Sequence, residues 1–312
     1  MAGILPVLLA LQAVAGDGAT SAPTAPTSTV TVTAPRPARS LPQRVRQFVY
    51  QVGQPTGSDQ LPRWPAGSPV CVHTLGFQPD GDKALRTNVE QLARDLGIPV
   101  QTAPCNTNVL IIASSDPPKT AAEVQKIIGP MWGRDGPSAM RHNLETPAPV
   151  HWWRGVRTSQ ATGGDGGPYA LASGNPVKGT DPVPTYNGYG ASRITQQTRE
   201  NMDSALVVVD SRQIGGVTMA PFAAYVAMGL FAPVSSGAQK LAEAPSILGL
   251  FTPGGGVNPD APQGITEWDM AYLKGLYAAD PSLNTNLQNG QIQVSMTRQL
   301  SAPPAPQEPI KR

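Results

Sequence analysis

Cys71, His73 and Cys105 are the first residues whose types invite chemistry. Thiolate sulfur and imidazole nitrogen are the ordinary ligands of zinc. On an extended segment Cys71 and His73 share one face, because side chains alternate along a strand. The competing reading is a Cys71–Cys105 disulfide beside a packed histidine. It is the stronger of the two, because the chain has an even count of 2 Cys and an oxidising destination would favour pairing. A disulfide leaves no thiolate for a metal, so neither a metal site nor a cofactor is expected here.

The other candidates carry less. His142 and His151 are the remaining histidines, and neither has a second His or a Glu at a helical zinc-ligand spacing. Gly76-Phe77-Gln78-Pro79-Asp80-Gly81-Asp82-Lys83 sits between a strand and a helix, as a phosphate loop would. However, Asp82 separates Gly81 from Lys83, Ala84 replaces the needed Ser or Thr, and two carboxylates in an anion cradle would repel phosphate. A capped turn is the expectation. No G-x-S-x-G elbow occurs, and Gly254-Gly255-Gly256 lacks the strand–helix setting of a dinucleotide site. Glu267 and Asp269 could pass for paired carboxylates, but Thr266 and Asp269 have the spacing of a helix cap. Catalysis, if present, would have to be built around Asp165, His142 or His151 in loops, as a secreted hydrolase of unrecognised type.

The elements that would position these residues follow from periodicity. Pro69–Leu75 reads as a strand. Leu85, Val89, Leu92 and Leu96 mark a helix face over Asp82–Leu96, opened by Asp80 or Asp82 and closed by Gly97. Pro99–Thr102 and Asn108–Ala113 read as strands. Asp116 and Pro117 open a helix running to Gly129, with Thr120 and Glu123 as an alternative capping box. Pro149–Thr158 reads as a strand whose adjacent Trp152 and Trp153 must face opposite sides, one of them into the core. Residues 162–190 form a long Gly/Pro-rich loop. Ala205–Asp210 is a continuous apolar run, as in a strand buried on both faces. Val217–Ala232 reads as a buried central helix rather than a membrane span, because Pro221 and Pro233 shorten it below the roughly 20 residues a bilayer needs. Helices over Thr266–Ala278 and Leu287–Leu300 complete the set. Alternating strands and helices imply an α/β or α+β fold with a mixed sheet and packed helices.

Four segments also carry a resemblance. Pro69-Val70-Cys71-Val72, Ala103 to Ile111, Ala205–Asp210 and Gly264-Ile265-Thr266-Glu267-Trp268-Asp269 make the chain from Cys71 to Met296 resemble a family of uncharacterised exported bacterial proteins. The order of sheet, central helix and late capped helix is faintly similar to the zincin-type metalloprotease layout. In that layout the central helix bears H-E-x-x-H. Here the stretch reads Phe222-Ala223-Ala224-Tyr225-Val226-Ala227-Met228-Gly229, with neither His nor Glu, so no site residue carries over and no zinc is expected.

The ends suggest where the protein goes. Residues 4–15 are an apolar run of about a dozen residues, too short to span, ending in Ala13-Val14-Ala15. The expectation is a signal peptide over 1–15, cleaved after Ala15. Residues 16–47 are then a disordered Pro/Thr/Ala-rich linker, 48–300 one globular domain and 301–312 a disordered tail. The whole chain has 312 residues, with 32 Gly and 34 Pro but only 14% charged residues. That composition excludes a coiled coil and a highly charged disordered chain. A formal charge of +2 is too small to imply nucleic acid. The expected protein is exported, periplasmic or secreted, without a membrane span in its mature form. It binds or supports an unknown component of the cell envelope and does not catalyse.

Overall fold

The structure is a computed structural model that describes residues 39–55, 59–102, 104–128, 148–160, 194–234 and 244–302. The expected signal peptide, residues 16–38 of the linker, His142, Asp165, the 162–190 loop and the tail from 303 lie outside the described residues.

Among the described residues, four strands form one mixed sheet: β1 (Val72–Leu75), β2 (Val109–Ser114), β3 (Val150–Gln160) and β4 (Thr198–Asp210), in the order β1-β2-β4-β3. β1, β2 and β4 are parallel, and β3 is antiparallel to β4. The helices among the described residues are α1 (Leu41–Val52), α2 (Pro79–Asp95), α3 (Pro117–Ile128), α4 (Met219–Phe231), α5 (Glu267–Ala278) and α6 (Thr285–Ser301), with a 3-10 turn at Ile247–Leu250. The fold is therefore a mixed sheet with packed helices, as the alternation implied.

The pairing register sorts the sheet into two faces. Val72, Val109 and Ala205 stand in one row and Ile111, Val207 and Trp152 in the next. These belong to the main core with α2 and α4. Leu110, Leu206 and Trp153 share the opposite face with Ile112, Val208 and His151. A small second core with Ala121 and Val124 of α3 covers it. The two Trp side chains thus point to opposite sides. Trp152 lies 5.3 Å from Tyr225 of α4, and Trp153 stacks on His151 at 6.4 Å.

The linker is shorter than its composition suggested. Residues 41–47, read as disordered, are the first turns of α1. Val45, Phe48, Val49 and Val52 are buried, at the spacing of one helix face. The Ser40 N–H donates to Gln43 Oε1 at 3.0 Å, and Pro42 lies in the first turn, where its missing N–H costs nothing. Four scattered Arg masked this stripe. Pro99–Thr102 also differs: only Val100 pairs, in an isolated bridge to Val70. At the other end, α6 runs one residue into the expected tail.

α4 is the centre of the packing. Every residue from Pro221 to Phe231 is buried, and no described helix is long and apolar enough to cross a membrane. Gly229 is required where Trp152 crosses it, because a Cβ there would meet the indole at 2.5 Å. The last four carbonyls of α4 each find a donor. Met228 O accepts from Ala232 N–H at 3.0 Å, Gly229 O from the Arg154 guanidinium at 3.1 Å, Leu230 O from Trp64 Nε1 at 3.3 Å and Phe231 O from the Tyr277 hydroxyl at 3.1 Å.

Two stability predictions follow from this packing. Tyr277→Phe leaves Phe231 O without its donor and should lower stability by about 1–2 kcal/mol in urea denaturation. An unchanged midpoint would show that the carbonyl is otherwise solvated. Cys71 and Cys105 form a disulfide, with Cα atoms 6.1 Å apart and a sequence separation of 34. Closing that loop restricts the unfolded chain, so Cys71→Ser/Cys105→Ser should cost about 3–4 kcal/mol in the same measurement.

Candidate functional site

The parallel strands β1, β2 and β4 end on the same side of the sheet, and each leads into a helix: β1 into α2, β2 into α3 and β4 into α4. Helices α2 and α4 belong to the core on one face and α3 to the other. The carboxyl ends of parallel strands are the place where open α/β sheets receive ligands. Helix N-termini there present backbone N–H groups and the positive end of the dipole.

The polar side chains of this rim are held by near neighbours in the chain. Thr74 Oγ1 donates to Asp82 Oδ1, and Arg86 pairs with Asp82 at 3.1 Å. Ser114 and Thr120 share a hydrogen bond of 2.7 Å, and Asp116 Oδ1 accepts the Lys119 N–H at 3.2 Å. Asp210, buried at the end of β4, accepts four hydrogen bonds. Two come from the Arg212 side chain at 3.0 and 2.8 Å, one from the Arg212 N–H at 3.0 Å and one from Gln213 Nε2 at 2.8 Å. The Arg212 hydrogen bond outweighs burial and pulls the Asp210 carboxyl down to about 2. Arg212 itself is largely exposed and feels Asp116 as well. Gly76, at φ 79°, brings the turn after β1 against Ala113 O, where a Cβ would come within 2.5 Å.

This rim can recognise a polar group through Arg212. Its carboxylates are structural acceptors, and no histidine stands among the described rim residues. The sequence had marked Asp116 and Asp82 only as caps and had not singled out Arg212, Gln213, Ser114 or Thr74. The available signal was the position of each polar cluster directly after an apolar strand and before a helix.

Among the described residues, the sequence candidates do not converge. Cys71 is buried in the disulfide, whereas His73 is exposed on the edge strand β1. His151 is buried against Trp153, away from the solvent a hydrolytic base would need. No group of three His, Cys, Asp or Glu able to hold a metal occurs among the described residues. Gln78, not Asp80 or Asp82, is the N-cap of α2, with Pro79 in the first turn; Gly97, at φ 74°, closes it as expected. Asp269 is buried and completes the capping box that the T-x-x-D spacing implied, with Thr266 as the N-cap. It accepts from Thr266 N–H at 3.0 Å, Thr266 Oγ1 at 2.8 Å, Ser246 Oγ at 2.5 Å and Ile247 N–H at 2.9 Å. Burial nevertheless pushes its carboxyl above the usual range.

The two arginines in the core are also structural. Arg63 Nη1 donates to Leu276 O and to Ala279 O at 2.6 Å, and Nη2 to Gln288 Oε1 at 2.7 Å. Arg154 reaches Gly229 O and Val234 O. Each therefore finishes the carboxyl end of a helix, α5 or α4, where the dipole is negative. Burial lowers both guanidinium groups to about 10. Two shallow depressions lie elsewhere. One of about 390 Å³ is lined by Arg39, Gln43, Arg46, Gln47 and Tyr50, and one of about 520 Å³ lies beside Cys105.

Comparison with known proteins returns no matching family model, no matching curated protein and no matching solved structure.

The rim generates a pH prediction. The folded Asp210 pKa lies below the ordinary 3.8, so its stabilisation is complete above about pH 4 and is lost as pH falls toward 2. Because its partner Arg212 is solvent-exposed, the contribution of Asp210 is discounted to about 1 kcal/mol or less. Asp210→Asn should lose that amount at pH 7 in chemical denaturation, and the two proteins should converge by about pH 2. A difference independent of pH would remove the ion pair from the account.

Proposed function

We propose that the protein is an exported domain of the cell envelope that acts by binding rather than by catalysis. The observation that carries this reading is the Cys71–Cys105 disulfide, because such bonds persist mainly in oxidising compartments. The apolar run at 4–15 with Ala13-Val14-Ala15 supports the same destination. The binding role is supported by the chemistry of the strand-end rim. Asp82, Asp116 and Asp210 already accept hydrogen bonds from adjacent residues, which suits a rigid recognition edge better than proton transfer.

The test is made on protein from the native host. Export predicts an envelope fraction whose N-terminus is Gly16 by mass spectrometry, with both cysteines unreactive to alkylation until reductant is added. An intact Met1 on cytosolic protein with two free thiols would sink the proposal.

A further inference from the structure

Charge is distributed unevenly along the chain. Residues 18–58 contain Arg36, Arg39, Arg44 and Arg46 and no acidic side chain. The whole chain carries +2, so the remainder is net acidic by two charges. α1 concentrates this basic stretch on folded structure. Its apolar side is occupied: Phe48 meets Trp268 and Tyr272 edge-on at 5.6 and 5.9 Å, and Arg44 lies 5.0 Å over Trp268. Its outward side is different. Arg39, Gln43, Arg46, Gln47 and Tyr50 line one open, shallow depression. The Arg46 guanidinium lies 5.9 Å over the Tyr50 ring, and Tyr50 is 45% exposed.

We infer that this outward side of α1 docks on the surface of an anionic phospholipid bilayer. Charge complementarity carries the choice. The helix contains no acidic residue, and guanidinium groups match phosphate oxygens with paired hydrogen bonds. The exposed tyrosine beside Arg46 adds what a purely polar polyanion would not use, an amphipathic ring of the kind that settles at the headgroup level. The open face suits a broad, flat surface. In sequence, α1 is also the first described element after the apolar 4–15 run. A bilayer is therefore the first surface it meets if the chain is exported; to that extent the inference rests on the envelope reading.

Each basic side chain near an anionic surface strengthens binding about fivefold. The measurement is sedimentation of the protein with sucrose-loaded vesicles, either pure phosphatidylcholine or with one-third phosphatidylglycerol. Binding is expected only to the anionic vesicles and should weaken in 0.5 M salt. Arg39→Gln/Arg46→Gln should lower it roughly tenfold or more and Tyr50→Ser by a smaller factor, with unfolding midpoints unchanged because these side chains are on the surface. Equal binding to neutral vesicles would overturn the inference. So would an unaffected arginine variant, or binding to dextran sulfate without binding to vesicles. The result is independent of the export test: a cytosolic protein could still bind anionic vesicles, and an exported one could fail to.

Discussion

The carboxyl end of α4 is the interaction on which the rest of the structure depends. A helix end leaves four carbonyls without intrahelical partners, and this end is buried where water cannot supply donors. Three of its donors come from separate parts of the chain: Arg154 from β3, Trp64 from the segment before β1, and Tyr277 from α5. The segment after α1 closes in as well, with Gln54 N–H donating to Pro233 O at 2.9 Å. Sheet, first helix and late helices are thus fixed around one set of carbonyls. Arg63 does the same at the end of α5 while its own backbone carbonyl accepts from Met202 of β4. The unfavourable desolvation of two guanidinium groups is offset by these carbonyls and by the negative helix ends they face.

Much of this fold could be read from the sequence because its elements announce themselves locally. The Leu85, Val89, Leu92 stripe and the Gly97 stop define α2 with no help from the tertiary structure. The unbroken apolar run ending at Asp210 reports a strand covered on both faces, and the structure covers it with α4 on one side and α3 on the other. α1 was less legible. Its four buried apolar residues are diluted by Arg44, Arg46 and three Gln, and only the packing of Phe48 against Trp268 and Tyr272, more than 200 residues away in sequence, makes the helix worthwhile. Pro99–Thr102 failed for the opposite reason. It has extended character but finds one pairing partner, at Val70, and so makes a bridge instead of a strand.

The candidate site was legible only in pieces. Asp82, Asp116 and Asp269 read as caps; Asp116 and Asp269 do satisfy helix N-termini, whereas Asp82 lies inside α2 and bonds Thr74 and Arg86 instead. What the sequence could not supply was the strand order β1-β2-β4, which sets the turns after β1, β2 and β4 along one edge and brings Asp116 within the electrostatic reach of Arg212. Spatial adjacency of three strand ends is a property of topology, and no spacing rule along the chain encodes it. The same holds for Arg63 and Arg154. As isolated cations they resemble surface residues, and only the carbonyls gathered around them explain why they stand inside.

The rim has one further property. Each of its polar clusters is closed by partners within eight residues of one another: Thr74 with Asp82, Ser114 with Thr120, Asp210 with Arg212 and Gln213. The disulfide and the Asn108 side chain, which joins Cys71 N–H and Pro69 O, sit at the other end of the sheet. The side-chain bonding of each turn is therefore mostly local, while the backbone ties neighbouring turns together: Ser211 N–H donates to Ser114 O at 2.9 Å and Gly76 closes on Ala113 O. Descendants of this chain could vary the side chains of one turn at a time wherever these backbone ties are kept, while the covalent end and the α4 hub conserve the frame that presents them.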